Sequence, residues 1–138
     1  MPILIGLAVV LSVALLARIV GLDRDRALYP IALIFIAAYY ILFAVIGGSQ
    51  SELWTETLFF LMFLGVALAG FWSSLWLVVG GLAAHGLFDI FHHLFVVGRG
   101  VPPWWPDFCL GADVAAAACL ATLLIVRPTS GPPVSPSP

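Results

Sequence analysis

Residues 53–97 read LWTETLFFLMFLGVALAGFWSSLWLVVGGLAAHGLFDIFHHLFVV, and this apolar run decides the fold. A transmembrane helix needs about 20 apolar residues, so a run of about 45 is too long for one span and suits two. The segment GFWSS at 70–74 offers a turn inside the run, because glycine and paired serines interrupt helices. The stretch therefore predicts a hairpin of two transmembrane helices, over about residues 53–69 and 75–97.

The composition of the whole chain is that of an integral membrane protein. Of its 138 residues, 63% are hydrophobic and only 9% are charged, whereas about a quarter of the residues in a soluble domain are charged. The net charge of -2 and the 5 scattered arginines provide no basic face, which argues against nucleic acid as a partner. The lipid bilayer is the expected environment.

Three further apolar runs complete the membrane domain. They cover about residues 2–20, 28–46 and 107–126, and each is long enough for one span. The expected fold is therefore all-α: a polytopic transmembrane bundle of five helices in a single domain, residues 1–127. The tail at 128–138 is rich in proline and serine and is expected to be disordered.

The arginines predict the orientation of the bundle. With five spans, Arg99 lies on one side of the membrane and the other four lie on the opposite side, namely Arg18, Arg24, Arg26 and Arg127. Because positive charges favour the cytoplasmic side, we expect a multi-pass protein of the inner (plasma) membrane with its N-terminus outside. The loop between helices four and five, and the end of helix four that carries His92 and His93, then face outward.

All three histidines lie in the segment HGLFDIFHH at 85–93, in the second half of helix four. At about 100° per residue, His85, Asp89 and His92 project within an arc of roughly 60°, and His93 widens it to about 100°. Ionisable side chains are costly inside a membrane and usually mark a functional site. We expect these four residues to bind a divalent transition metal such as zinc, iron or manganese, or to relay protons without one.

Two carboxylates on neighbouring helices are candidates to complete the site. Glu56 lies near the outward end of helix three, and Asp113 lies within helix five, four residues after Cys109. The alanines that follow Asp113 are small enough to let another helix approach, so we expect Asp113 to lie within contact of helix four. Either carboxylate can complete a metal shell, and the one that is not a ligand is the candidate catalytic general base.

Two other polar positions carry specific expectations. Tyr39 and Tyr40 lie in the middle of helix two, where a hydroxyl needs a hydrogen-bond partner, so we expect one of them to reach the site. Asp107 follows a proline at the start of helix five and is expected to be its N-cap.

A group of small, uncharacterised bacterial integral membrane proteins of about this length resembles the chain in one pattern, His85-x-x-x-Asp89-x-x-His92-His93 followed by Pro102-x-Trp104-Trp105-Pro106-x-x-Cys109-x-x-x-Asp113. The resemblance covers residues 80–118 well and the first two helices only through their apolar character. It implies no particular activity. It does imply that Pro102, Trp105, Cys109 and Asp113 belong to one functional unit with the histidines.

These features favour a metal-dependent membrane enzyme that acts on a lipid or another apolar substrate. The first alternative is a small conductor or transporter of protons or metal ions. A conductor needs polar residues through the whole thickness of the membrane, and the cytoplasmic half of the predicted bundle has few polar residues beyond Arg18 and Ser12. The second alternative is a structural or assembly partner of another membrane protein. The unit Asp89-x-x-His92 also has the spacing of one half of a di-iron site, which would require a homodimer.

Overall fold

The five predicted helices are all present in the structure, a computed structural model that describes residues 1–126 and contains no strand within them. They are α1 (Pro2–Val20), α2 (Leu28–Ile46), α3 (Gln50–Trp72), α4 (Leu75–Phe91) and α5 (Trp105–Val126). Each is long and apolar enough to cross a membrane, counting the short 3₁₀ turn that follows α4. The all-α bundle of a multi-pass membrane protein is confirmed, while Arg127 and the tail predicted at 128–138 lie outside the described residues.

The turn between α3 and α4 is shorter than the sequence predicts. Helix α3 continues through Trp72, so only Ser73 and Ser74 separate the two helices. Ser74 is the N-cap of α4, and its hydroxyl accepts a hydrogen bond from the backbone amide two residues on, at 3.4 Å. Arg26 donates to the carbonyl oxygens of Phe71 at 2.6 Å and Ser73 at 2.9 Å. These bonds satisfy carbonyl groups that the end of a helix leaves without partners.

Helices α4 and α5 are bounded differently from the prediction. The α-helix of α4 stops at Phe91, and His92–Leu94 form a 3₁₀ turn before an irregular loop. Pro106 lies in the first turn of α5, where a proline loses no helical hydrogen bond. Asp107 is therefore inside the first helical turn, and the prediction that it is the N-cap is corrected.

Glycines allow α5 to pack closely between α1 and α4. A Cβ on Gly6 of α1 would collide with the backbone of α5, and a Cβ on Gly111 of α5 would collide with the backbone of α1. On the opposite side of α5, a Cβ on Gly86 of α4 would lie 3.1 Å from the Cβ of Asp113. This close approach brings Asp113 against the polar face of α4.

The apolar core and the buried ionisable groups occupy opposite halves of the bundle. The core surrounds the first turns of α4, with Leu33, Ala67, Val78 and Leu82 fully buried. The other end of the bundle carries the α2–α3 linker and the α4–α5 loop, which meet where Gly47 packs on Gly100. We call this the loop end. The buried histidines and carboxylates all lie between the core and the loop end; they are Glu52, Glu56, His85, Asp89, His92 and Asp113.

Candidate metal centre

Three side chains from two helices converge in the interior. His85 and Asp89 lie one turn apart on α4, and Asp113 reaches them from α5. His85 Nδ1 lies 2.8 Å from Asp113 Oδ2 and 3.6 Å from Asp89 Oδ2. One ligand atom from each residue lies within 4.8 Å of the other two, and all three residues are buried, with at most 1% of each exposed. We call this group the triad. Its spacing suits one bound cation.

The triad has more lone pairs than the surrounding protein satisfies. Among the described residues, His85 Nε2, Asp89 Oδ2 and Asp113 Oδ1 are buried and have no hydrogen-bond partner. Unpartnered polar atoms are uncommon in protein interiors, because each costs the free energy of its lost hydration. Two ionised carboxylates beside one neutral imidazole would also place excess negative charge in a buried region of low polarity. Both features are relieved by a bound cation or by additional protons.

Tyr40 on α2 fixes the orientation of one carboxylate of the triad. Its hydroxyl donates to Asp89 Oδ1 at 2.6 Å, and only 1% of the residue is exposed. The bond holds Oδ1, so Oδ2 is the oxygen that faces His85. The expectation that one of the two tyrosines reaches the site is met by Tyr40. Tyr39 instead lies on the surface with its ring 4.9 Å from that of Trp105.

His92 and Glu56 form a separate buried pair. His92 Nε2 lies 2.5 Å from Glu56 Oε1, and the two residues are 4% and 2% exposed. The His92 ring also stacks on Tyr40, with 4.3 Å between ring centroids. His92 begins the 3₁₀ turn rather than continuing α4, so its ring does not follow the direction that an ideal helix would give it.

The four candidate ligands predicted on α4 thus divide into three environments. His85 and Asp89 belong to the triad, His92 pairs with Glu56, and His93 is exposed at the loop end. Of the two predicted catalytic carboxylates, Asp113 completes the triad and Glu56 does not contact it through any described hydrogen bond. The roles assigned to these residues stay predictions. The sequence assigns no role to Gly86, which lets α5 approach α4, although its place directly after His85 in the apolar helix is a signal that could identify it.

A cavity of about 290 Å³ connects this polar region with the loop end. Its floor includes Asp89 and His92, its rim includes His93, and proline-rich segments form its wall. The complete lining is Asp89, Ile90, His92, His93, Val97, Gly98, Val101, Pro102, Pro103, Pro106 and Asp107. The triad is therefore closed towards the apolar core and approached from the loop end.

The residues that carry the resemblance to small bacterial membrane proteins lie around this region. Pro102 lines the cavity, and the ring of Trp105 packs on that of Phe43 at 4.9 Å. Cys109 is buried one turn before Asp113. The resemblance itself stays a prediction. No protein-family model, curated protein or solved structure matches the chain.

Proposed function

We propose that this integral membrane protein holds one divalent transition-metal ion at His85, Asp89 and Asp113 and is an enzyme acting on a lipid or another apolar substrate. The observation that carries the proposal is the convergence of three buried ligand residues, each of which keeps one polar atom without a hydrogen-bond partner. Structural hydrogen-bond networks in an apolar interior are expected to satisfy their members, and this one does not.

Charge balance supports a divalent cation. Two ionised carboxylates and a neutral imidazole carry two negative charges, which one divalent ion neutralises inside a medium of low polarity. Nitrogen and oxygen donors of this kind suit zinc, iron or manganese. An ion held by these three residues would activate water or polarise a substrate oxygen.

The remaining polar residues of the site have distinct parts in this proposal. Tyr40 holds Asp89 in its ligand orientation through the bond to Oδ1. His92 lines the cavity and is backed by Glu56, an arrangement in which a carboxylate orients an imidazole that accepts a proton. The predicted general-base role of Glu56 thereby becomes a positioning role, with His92 as the group that faces the substrate.

A proton relay is the second candidate, and one observation favours it. Tyr40, Asp89, His85 and Asp113 form a continuous chain of polar contacts, along which shared protons would also relieve the excess negative charge. A transmembrane conductor is less well supported, because the described core below the triad is apolar around Val78 and Leu82.

Metal analysis of the purified protein separates these candidates. Protein isolated in detergent without chelator is expected to contain about one equivalent of transition metal per chain, and His85→Ala, Asp89→Asn and Asp113→Asn should each reduce this to below about a tenth. His93→Ala, which removes an exposed imidazole from the same helix end, is the matched control and should keep its metal.

The size-exclusion profile and the melting temperature of each variant in detergent show whether the variant is folded. If the wild-type protein is folded and still binds less than about a tenth of an equivalent after incubation with zinc, iron(II) or manganese(II), the metal proposal is overturned. The proton relay would then be the better account of the triad.

A further inference from the structure

We propose that the loop-end cavity binds the polar head of the substrate, and that it selects a neutral or cationic group bearing hydroxyl or amine donors over an anionic phosphate or carboxylate. The inference rests on the proposed function, because it assigns a substrate class to the same site. The chemistry could belong to a lipid headgroup or to a free small molecule.

The size of the cavity favours a headgroup over a whole lipid. A volume of about 290 Å³ equals that of about ten water molecules in the liquid. This is room for a small polar group but not for an acyl chain, which would have to lie along the outer surface of the bundle. Pro102, Pro103 and Pro106 line the cavity, and their rings restrict the backbone of this part of its wall before a ligand arrives.

The charge of the lining sets the preference for hydrogen-bond donors. Its ionisable members are Asp89, His92, His93 and Asp107, and no arginine is among the described residues that line it. Arg99 belongs to the same loop but not to the lining. Anion sites are normally built with arginine, lysine or several backbone amides. Carboxylates in the lining repel a phosphate and accept hydrogen bonds from a hydroxyl or an ammonium group.

Asp107 is the lining carboxylate that remains when a cation neutralises the triad. It is exposed in the first turn of α5, whereas Asp89 belongs to the triad. The preference for donors over anions should therefore depend mainly on Asp107. Substituting it changes the charge of the cavity without removing a proposed metal ligand.

Photo-crosslinking to purified, metal-loaded protein tests the inference. The probes are diazirine derivatives of dodecylamine, dodecylglycerol and dodecyl phosphate, and labelled peptides are identified by mass spectrometry. The amine and glycerol probes are expected to label residues 89–107 about tenfold or more above the phosphate probe. Asp107→Lys should reverse this order. Asp25→Lys makes the same charge change at an exposed position outside the lining and should leave the order unchanged.

Competition with free compounds distinguishes the two sources of the headgroup. If ethanolamine and glycerol displace the long-chain probes, the ligand is a free small molecule; if they do not, the acyl chain contributes and the ligand is a lipid. Both results support the proposed preference of the cavity for hydroxyl and amine groups. Equal or stronger labelling by the phosphate probe, no labelling in residues 89–107, or an order unchanged by Asp107→Lys would overturn it.

Metal content is measured on the same samples, so the two proposals fail separately. Full metal loading without the expected headgroup preference removes the inference and leaves the metal site. The expected preference in protein that binds no metal leaves the headgroup site and removes the proposed metal-dependent function.

Discussion

Tyr40 determines which oxygen of Asp89 faces His85. Its hydroxyl occupies Oδ1 at 2.6 Å and leaves Oδ2 without a hydrogen-bond partner, 3.6 Å from His85 Nδ1. Groups that orient a ligand in this way usually affect metal affinity nearly as much as the ligands themselves. The neighbouring Tyr39 has its ring at the surface, so the two adjacent tyrosines provide a natural comparison.

Tyr40→Phe is expected to weaken metal binding by about 10- to 100-fold, because Asp89 loses the donor that fixes it. It should also destabilise the protein by about 1–3 kcal/mol, since a buried carboxylate oxygen is left without a partner. Tyr39→Phe should change neither quantity by a measurable amount. Competition with a fluorescent chelator gives the affinity, and urea or thermal unfolding in detergent gives the stability. Equal effects of the two substitutions would contradict this role for Tyr40.

Glu56 and Asp113 are the two carboxylates that the sequence leaves open as ligand or base. The structure separates them by their partners, His92 for Glu56 and His85 for Asp113. Glu56→Gln is therefore expected to keep about one equivalent of metal, whereas Asp113→Asn should lose it. Glu52→Gln, on the same helix as Glu56, is the control. Loss of metal from Glu56→Gln in protein that remains folded would place Glu56 among the ligands.

At the scale of the elements, the site depends on how closely α4 and α5 approach. Gly86 faces Asp113 across this contact, and a Cβ placed on it would lie 3.1 Å from the Asp113 Cβ. Contacts this short require the neighbouring backbone to move by a few tenths of an ångström. Because His85 Nδ1 and Asp113 Oδ2 are only 2.8 Å apart, such a movement acts directly on the triad.

Gly86→Ala is expected to lower metal affinity by about tenfold by displacing α5 from α4, although alanine favours a helix by about 1 kcal/mol over glycine. Gly80→Ala lies on the same helix with nothing within 4 Å of the added Cβ, so it should retain affinity and gain stability. Metal titration and thermal unfolding of both variants check the prediction. Unchanged affinity in Gly86→Ala would mean that the contact between α4 and α5 adjusts without disturbing the triad.

The sequence predicts the existence of the helices better than their ends. Span length and hydropathy are summed over about 20 residues, so they tolerate local detail. Ends depend on single hydrogen bonds, such as those made by Ser74 and Arg26 around the α3–α4 turn. The contact between Asp113 and α4 is predictable because small residues mark it. The separation of His92 from the triad is not, since the ideal rotation per residue no longer applies where α4 gives way to a 3₁₀ turn.

At the scale of the whole molecule, polarity is divided along the bundle. The triad, the pair of His92 with Glu56 and the cavity all lie towards the loop end, while an apolar core fills the other half. A site open at one end and closed by packed side chains at the other suits an enzyme that exchanges substrate with one side of the membrane. Under the proposed function, the side it faces determines which compartment supplies the substrate and the metal.

Accessibility of single cysteines tests the orientation that the arginines predict. Ser51→Cys and Arg99→Cys replace exposed residues at the loop end, and Arg24→Cys replaces an exposed residue at the opposite end. With the N-terminus outside, a membrane-impermeant maleimide should label the first two in intact cells and the third only after permeabilisation. The wild-type protein, whose Cys109 and Cys119 lie within α5, measures the background.

Two results would contradict this arrangement in different ways. Labelling of Ser51→Cys and Arg99→Cys from opposite sides would mean that the hairpin of α3 and α4 does not cross the membrane twice. Complete inversion would keep the five spans but turn the cavity to the cytoplasm. Inversion would require the arginine bias to be weakened by the partners of these arginines. Arg26 donates to the carbonyl oxygens at the end of α3, and Arg18 pairs with Asp23 at 2.8 Å. Since acidic neighbours contribute little to orientation, we expect the arginine bias to prevail and the site to open outward.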